Sequence, residues 1–118
     1  MTFILLLLTA CGDKDTALDP THDTDIQPIW NANCTGCHPS NAGLSLTSGF
    51  AALVNVASSQ SSKDRVEPCL IADSYLWHKL NGTQADVGGS DDAMPLSGSM
   101  ESDEMDLIEA WINEGCAP

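Results

Sequence analysis

The chain has 118 residues, enough for one domain with a modest core. Seventeen acidic residues stand against Lys14, Lys63, Arg65 and Lys79, a net charge of −13. That balance excludes nucleic acid as a partner and electrostatic docking on anionic lipid. It suits a basic docking patch on a partner protein, through steering, as well as it suits a plainly solvated surface.

Residues 1–10, MTFILLLLTA, carry an apolar run too short to span a bilayer as a permanent helix, and they read as a secretory signal. Leu8-Thr9-Ala10-Cys11 resembles the lipobox of bacterial lipoproteins, in which the cysteine is lipidated and becomes the new N-terminus. A buried N-terminal helix is the competing reading, but nothing polar alternates in the run. No Lys or Arg precedes it, a departure from the signal pattern that fits a start codon further upstream. Several acyl chains on Cys11 give stable anchoring, which one chain does not. The implied location is that of an exported lipoprotein, on the periplasmic side of the inner or outer membrane or at the cell surface. Residues 11–24 are acidic and without period, a flexible tether in which His22 is expected to be solvated. The folded domain is then 25–118.

That domain opens with a helix. Thr24 or Asp25 can cap it, Pro28 falls in the first turn, and Ile26, Ile29, Trp30 and Cys34 lie at helical spacing. The helix delivers Cys34-Thr35-Gly36-Cys37-His38 at its C-terminal end. Two cysteines two residues apart, followed at once by histidine, form the attachment signature of c-type haem. The thiols of Cys34 and Cys37 bind the two vinyl groups on one porphyrin edge, leaving His38 beneath the ring as proximal iron ligand. Half a zinc site or a thioredoxin-like redox pair are the rival readings of a bare CxxC. Zinc needs two more ligands, and no second CxxC or HxxxH occurs; a redox pair has no use for the adjacent histidine.

Residues 39–48 are turn-rich and are expected to wrap one haem edge, with Leu44 and Leu46 available to the ring. Phe50, Leu53 and Val54 indicate a short helix capped by Thr47 or Ser48. SSQSSKD is a surface loop by composition, and Arg65 after it either reaches a haem propionate or faces solvent. Residues 73–82 predict a helix of about two turns with an N-cap candidate at its start, an inward stripe of Tyr75, Leu76 and Leu80, and a closing Asn-Gly. His78 falls off that stripe and is expected to be exposed. A loop holds Met94-Pro95 at its centre. The last helix begins near Ser102, with Asp103 and Glu104 at the positive end of its dipole, Met105, Ile108, Trp111 and Ile112 on its apolar face, and Gly115 at its end.

Five cysteines invite subtraction. With lipid on Cys11 and haem on Cys34 and Cys37, Cys69 and Cys116 remain, a disulfide candidate in an oxidising compartment.

CTGCH, a loop methionine in Met94-Pro95 and the terminal EMDLIEAWINEG together resemble a small class I cytochrome c domain, and in feel the cytochrome c-like lipoproteins of environmental bacteria. The runs IQPIWNANCTGCH and SYLWHKLNGTQ add to the likeness, which covers residues 25 to 115. The resemblance implies an all-α, small cytochrome c-like fold of three or more helices around one covalent haem c, and a slot between the Cys34–His38 segment and the Met94 loop. It implies Met94 as distal iron ligand, a soft thioether that raises the potential, with Pro95 restricting its loop. Met100 and a bis-histidine site through His78 are the competing ligands, while Met105 reads as core. With both axial positions filled the implied activity is single-electron transfer between redox protein partners, not enzymatic turnover. An open or labile sixth position would instead suit small-gas binding or peroxidatic chemistry, but no distal acid and base pair can be recognised. The family usually has no cysteines where Cys69 and Cys116 stand.

Overall fold

The computed structural model describes residues 19–38, 43–90, 92–96 and 98–118. Among them the fold is all-α, as expected. Its helices are α1 (Gln27–Asn33), α2 (Gly49–Leu53), α3 (Tyr75–Asn81) and α4 (Ser102–Asn113). The long connection between α2 and α3 holds isolated bridges, Val54 with Val66, Ala57 with Asp64 and Asp64 with Ser74, and one 3-10 turn, Ile71–Asp73, and no strand forms among the described residues. None of the described helices is long and apolar enough to cross a membrane. The signal segment 1–10 and Cys11 lie outside the described residues.

The first helical run starts earlier than its capping residues suggest. A wide π-type turn over His22–Ile26 leads straight into α1, and Pro28 occupies the first turn of α1, where a missing N–H costs nothing. Asp25 does not cap the turn from in front; its Oδ2 reaches back to accept the Thr21 N–H at 2.9 Å. The run therefore includes His22, which is 1% exposed and not part of a solvated tether. Its Nε2 accepts the Trp30 Nε1–H at 3.1 Å, and its backbone N–H donates to the Ala117 carbonyl at 2.8 Å. Trp111 Nε1–H donates to the same carbonyl at 2.9 Å. Both ends of the domain thus meet over two buried indoles.

α2 is not capped by a hydroxyl. The Gln27 amide bridges α1 to it, donating to the Leu46 carbonyl (2.7 Å) and accepting the Gly49 N–H (2.9 Å). α3 keeps the expected length. Ser74 is its N-cap residue, but the hydroxyl serves the carbonyls of Glu67 and Leu70. Gly82 closes it in the left-handed region, φ 72°, with its N–H on the His78 carbonyl. α4 packs on the His22–Ile26 turn, and Asn33 Nδ2 donates to Glu104 Oε2 at 3.0 Å, linking α1 to the first turn of α4. Ile26, Ile29, Trp30, Leu46, Leu53, Val66, Leu80, Met100, Ile108, Trp111 and Ile112 form one buried cluster.

The expected Cys69–Cys116 disulfide is corrected by this packing. Cys116 is a free thiol, 4% exposed and part of the core cluster. It follows Gly115 at the end of α4 with φ 58°, and its N–H returns to the Trp111 carbonyl at 2.9 Å. That wind-up places the thiol among apolar neighbours as a small hydrophobe.

Gly49 has a packing reason to be glycine. A Cβ there would lie 2.6 Å from Cδ1 of Trp30 and 3.1 Å from Nε2 of His22. The indole is locked by its own hydrogen bond and cannot yield cheaply. Gly49→Ala is therefore expected to lower unfolding free energy by about 1–3 kcal/mol in chemical denaturation, the usual cost of overpacking. An unchanged midpoint would remove Trp30 as a rigid support.

Candidate functional site

The Cys34–His38 segment continues the last turn of α1. The Trp30 carbonyl accepts the N–H of Cys34 (2.8 Å) and of Thr35 (3.0 Å), and the Cys34 carbonyl accepts those of Cys37 (3.1 Å) and His38 (2.8 Å). Thr35 Oγ1 adds a bond to the Asn31 carbonyl at 3.2 Å. This coiling sets Cys34 and Cys37 one turn apart and His38 directly after them. The Leu46 N–H then donates to the His38 carbonyl at 2.8 Å, which draws residues 44–46 back across the segment.

Between this segment and the loop at 92–96 lies a cleft with about 720 Å³ of atom-free space, counting its open mouth. Cys34 and His38 line one part of it and Met94 another. Leu44, Leu46, Leu53, Leu76 and Leu80 make the rest of the wall largely apolar, and Tyr75, Arg65 and Lys79 also line it. Leu44 and Leu46, expected to reach a bound ring, do line it. Arg65 is held by the Ala52 carbonyl (2.9 Å) and the Gly43 carbonyl (3.4 Å), so it borders the cleft and does not extend freely into solvent. Tyr75 Oη donates to Gln60 Oε1 at 2.8 Å, fixing the phenol at the edge.

The other residues weighed as ligands are elsewhere. Met100 is buried in the core, and Met105 packs against it from α4. His78 is half-buried, contrary to its expected exposure. Nδ1 sits 2.7 Å from Thr83 Oγ1 and Nε2 sits 2.8 Å from the Ala72 carbonyl, so both ring nitrogens have partners away from the cleft. Cys37 is exposed and is not part of the cleft lining. Among the described residues no cluster of three or more His, Cys, Asp or Glu could hold a metal ion. A porphyrin iron asks for less from the protein: two axial ligands, thiols for attachment and an apolar slot. His38, Met94, Cys34 and the leucine wall are the lining residues of a type that could hold such a group, with Cys37 one turn from Cys34 and outside the lining.

Burial pushes the Cys34 thiol up to about 11, with the charge of Glu104 and the neighbouring Cys37 adding to it. Burial likewise pushes Cys116 up to about 12, with a smaller effect from Glu67. No role for Lys79 is read from the sequence, yet it lies in the cleft wall with its ammonium turned into the fold. Its position four residues after Tyr75, on the same helical face, was the available signal.

No family model matches the chain, and no curated protein does. Among solved structures it is similar to Kuenenia stuttgartiensis Hydrazine Synthase, with 21% identity and a TM-score of 0.51 over 81% of this chain. The chain spans 16% of that protein's length, so the likeness concerns the fold of this one region.

The thiol environments make a chemical prediction for the reduced, cofactor-free chain. At about pH 8, iodoacetamide should modify Cys37 first, with Cys34 and Cys116 at least about ten-fold slower, because the reactive thiolate is rare in both. Peptide mass spectrometry over time reads this directly; equal rates would contradict the burial of Cys34. A thiol that holds its proton more tightly when folded contributes stability that is complete below its ordinary value of 9.0 and is lost as pH rises toward the folded value. Denaturation midpoints should therefore fall between about pH 8 and about pH 10.5, and fall less in Cys116→Ala.

Proposed function

We propose that this chain is a monohaem c-type cytochrome that passes single electrons and is held at a membrane by a lipid on Cys11. The observation that carries the reading is the shared cleft: His38, presented by a CxxCH segment, and Met94, from a separate loop, line the same apolar space. His78 and Met100, the competing ligands, are committed to other contacts. Cys34 and Cys37 would hold the porphyrin through thioether bonds, His38 would be its proximal ligand and Met94 its distal one. The bound group supplies one reversible electron through its iron.

The rest of the chain supports such a group without chemistry of its own. The leucine wall excludes water and favours the less charged, reduced iron; a thioether ligand pushes in the same direction. Arg65, already fixed beside the cleft, is the one guanidinium available to a propionate. No residue is assigned a catalytic role. The surface charge of −13 would steer the domain toward basic patches on redox partners, and the lipid would confine it near membrane-bound ones.

The test is optical. Produced in a host that matures haem c, the wild-type protein should be low-spin in both oxidation states, with the weak red charge-transfer band of methionine ligation when oxidised. Met94→Ala should lose that band, turn high-spin and show a lower potential, whereas Met100→Ala should keep the band. Ready binding of carbon monoxide by the wild type would move the gas-binding or peroxidatic reading ahead. Absence of covalent haem would defeat the assignment of Cys34, Cys37 and His38. Metabolic labelling with palmitate, lost in Cys11→Ser, tests the anchor.

A further inference from the structure

Lys79 is one of only four basic residues in the chain, and it is 9% exposed. A buried ammonium is costly unless its protons are taken up. Here Nζ donates to the Ser90 carbonyl at 2.9 Å and to the Asp92 carbonyl at 2.8 Å. Both acceptors belong to the backbone just ahead of Met94. The other end of the same residue closes the clasp, because the Lys79 carbonyl accepts the Met94 N–H at 2.9 Å. One residue of α3 therefore holds this loop at three points, two through its side chain and one through its main chain. Its aliphatic stem meanwhile lines the cleft.

We infer that Lys79 is a positioning residue that presets the Met94 loop against the cleft before any iron is present. The inference rests on the cytochrome reading proposed above. A loop already ordered by a charged donor loses little further entropy when its methionine binds, so Met94 competes better against ligands from solution. Without the ammonium, the Ser90 and Asp92 carbonyls lose their charged donor and the loop must be ordered by the iron–sulfur bond itself. The stem alone does not replace it.

The experiment compares wild type with Lys79→Met, which keeps the stem and removes the donor, and with Lys63→Met as a control at a lysine paired with Asp73 on the outside. Affinity of the oxidised haem protein for imidazole is read by titration. Amide hydrogen exchange is read at Met94. Lys79→Met should bind imidazole about ten- to a hundred-fold more tightly, the equivalent of losing hydrogen bonds from a charged donor. It should also exchange the Met94 amide faster, while Lys63→Met should change neither. In a Met94→Ala background the Lys79→Met effect on imidazole should vanish, since Lys79 acts only through the loop. If Lys79→Met does not fold, Lys79→Gln, whose amide can still donate to one carbonyl, should give an intermediate shift. A wild type with methionine ligation and a Lys79→Met with unchanged imidazole affinity and exchange would overturn the inference and leave the function standing. A wild type without methionine ligation would defeat the function; the Met94 amide then decides alone, unchanged exchange overturning the role of Lys79.

Discussion

Trp30 is the residue on which the core and the cleft both depend. Its indole is fully buried, donates to His22 and stands against Gly49, where a Cβ would collide with it. Its carbonyl meanwhile accepts the N–H groups of both Cys34 and Thr35. The same residue therefore anchors the packed interior through its side chain and starts the CxxCH turn through its main chain. Because His22 is tied to Ala117, and Ala117 to Trp111, the anchor extends to α4 and the end of the domain. The five-residue segment needs such a support, since a turn this short is not stable alone.

Much of the helical framework could be read from periodicity. Ile26, Ile29 and Trp30, and likewise Ile108, Trp111 and Ile112, repeat at helical spacing and are buried where that spacing puts them. Asn81-Gly82 ended α3 because only glycine takes the left-handed turn there without strain. What composition concealed was burial of polar groups. His22 lies in an acidic, polar stretch, and nothing local announces that Trp30, eight residues on, and Ala117, at the other end of the chain, supply its partners. Lys79 was hidden in the same way: its neighbours in sequence place it on the inward face, but the carbonyls that make burial tolerable come from residues 90 and 92.

The cysteines show the limit of counting. Subtracting lipid and haem sites left Cys69 and Cys116 as a pair, and parity in an oxidising compartment favours a bond. Parity knows nothing of direction. Cys116 follows a left-handed turn that points its sulfur into the core, where a thiol serves as packing. The candidate site was more legible than the disulfide because its residues are adjacent in sequence and their order is dictated by chemistry. Met94 was legible only through resemblance. That Met94, and not Met100 or His78, lines the cleft beside His38 follows from where α3 and its loop run, which no spacing rule encodes.

The two walls of the cleft are held by different forces, and this asymmetry bears on how it could accept a flat group. The Cys34–His38 wall is an extension of α1, fastened by consecutive main-chain bonds to residues of the core. The Met94 wall is a loop held mainly from α3, by one ammonium and one amide bond. Hydrogen bonds of that number can open at modest cost, whereas displacing Trp30 would dismantle the interior. A ligand seated between the walls would therefore part them on the methionine side, with the histidine side as the fixed reference. Under the cytochrome reading, His38 would be the contact set by the fold and Met94 the one that closes on a loop, and the role inferred for Lys79 would be to place that loop beforehand.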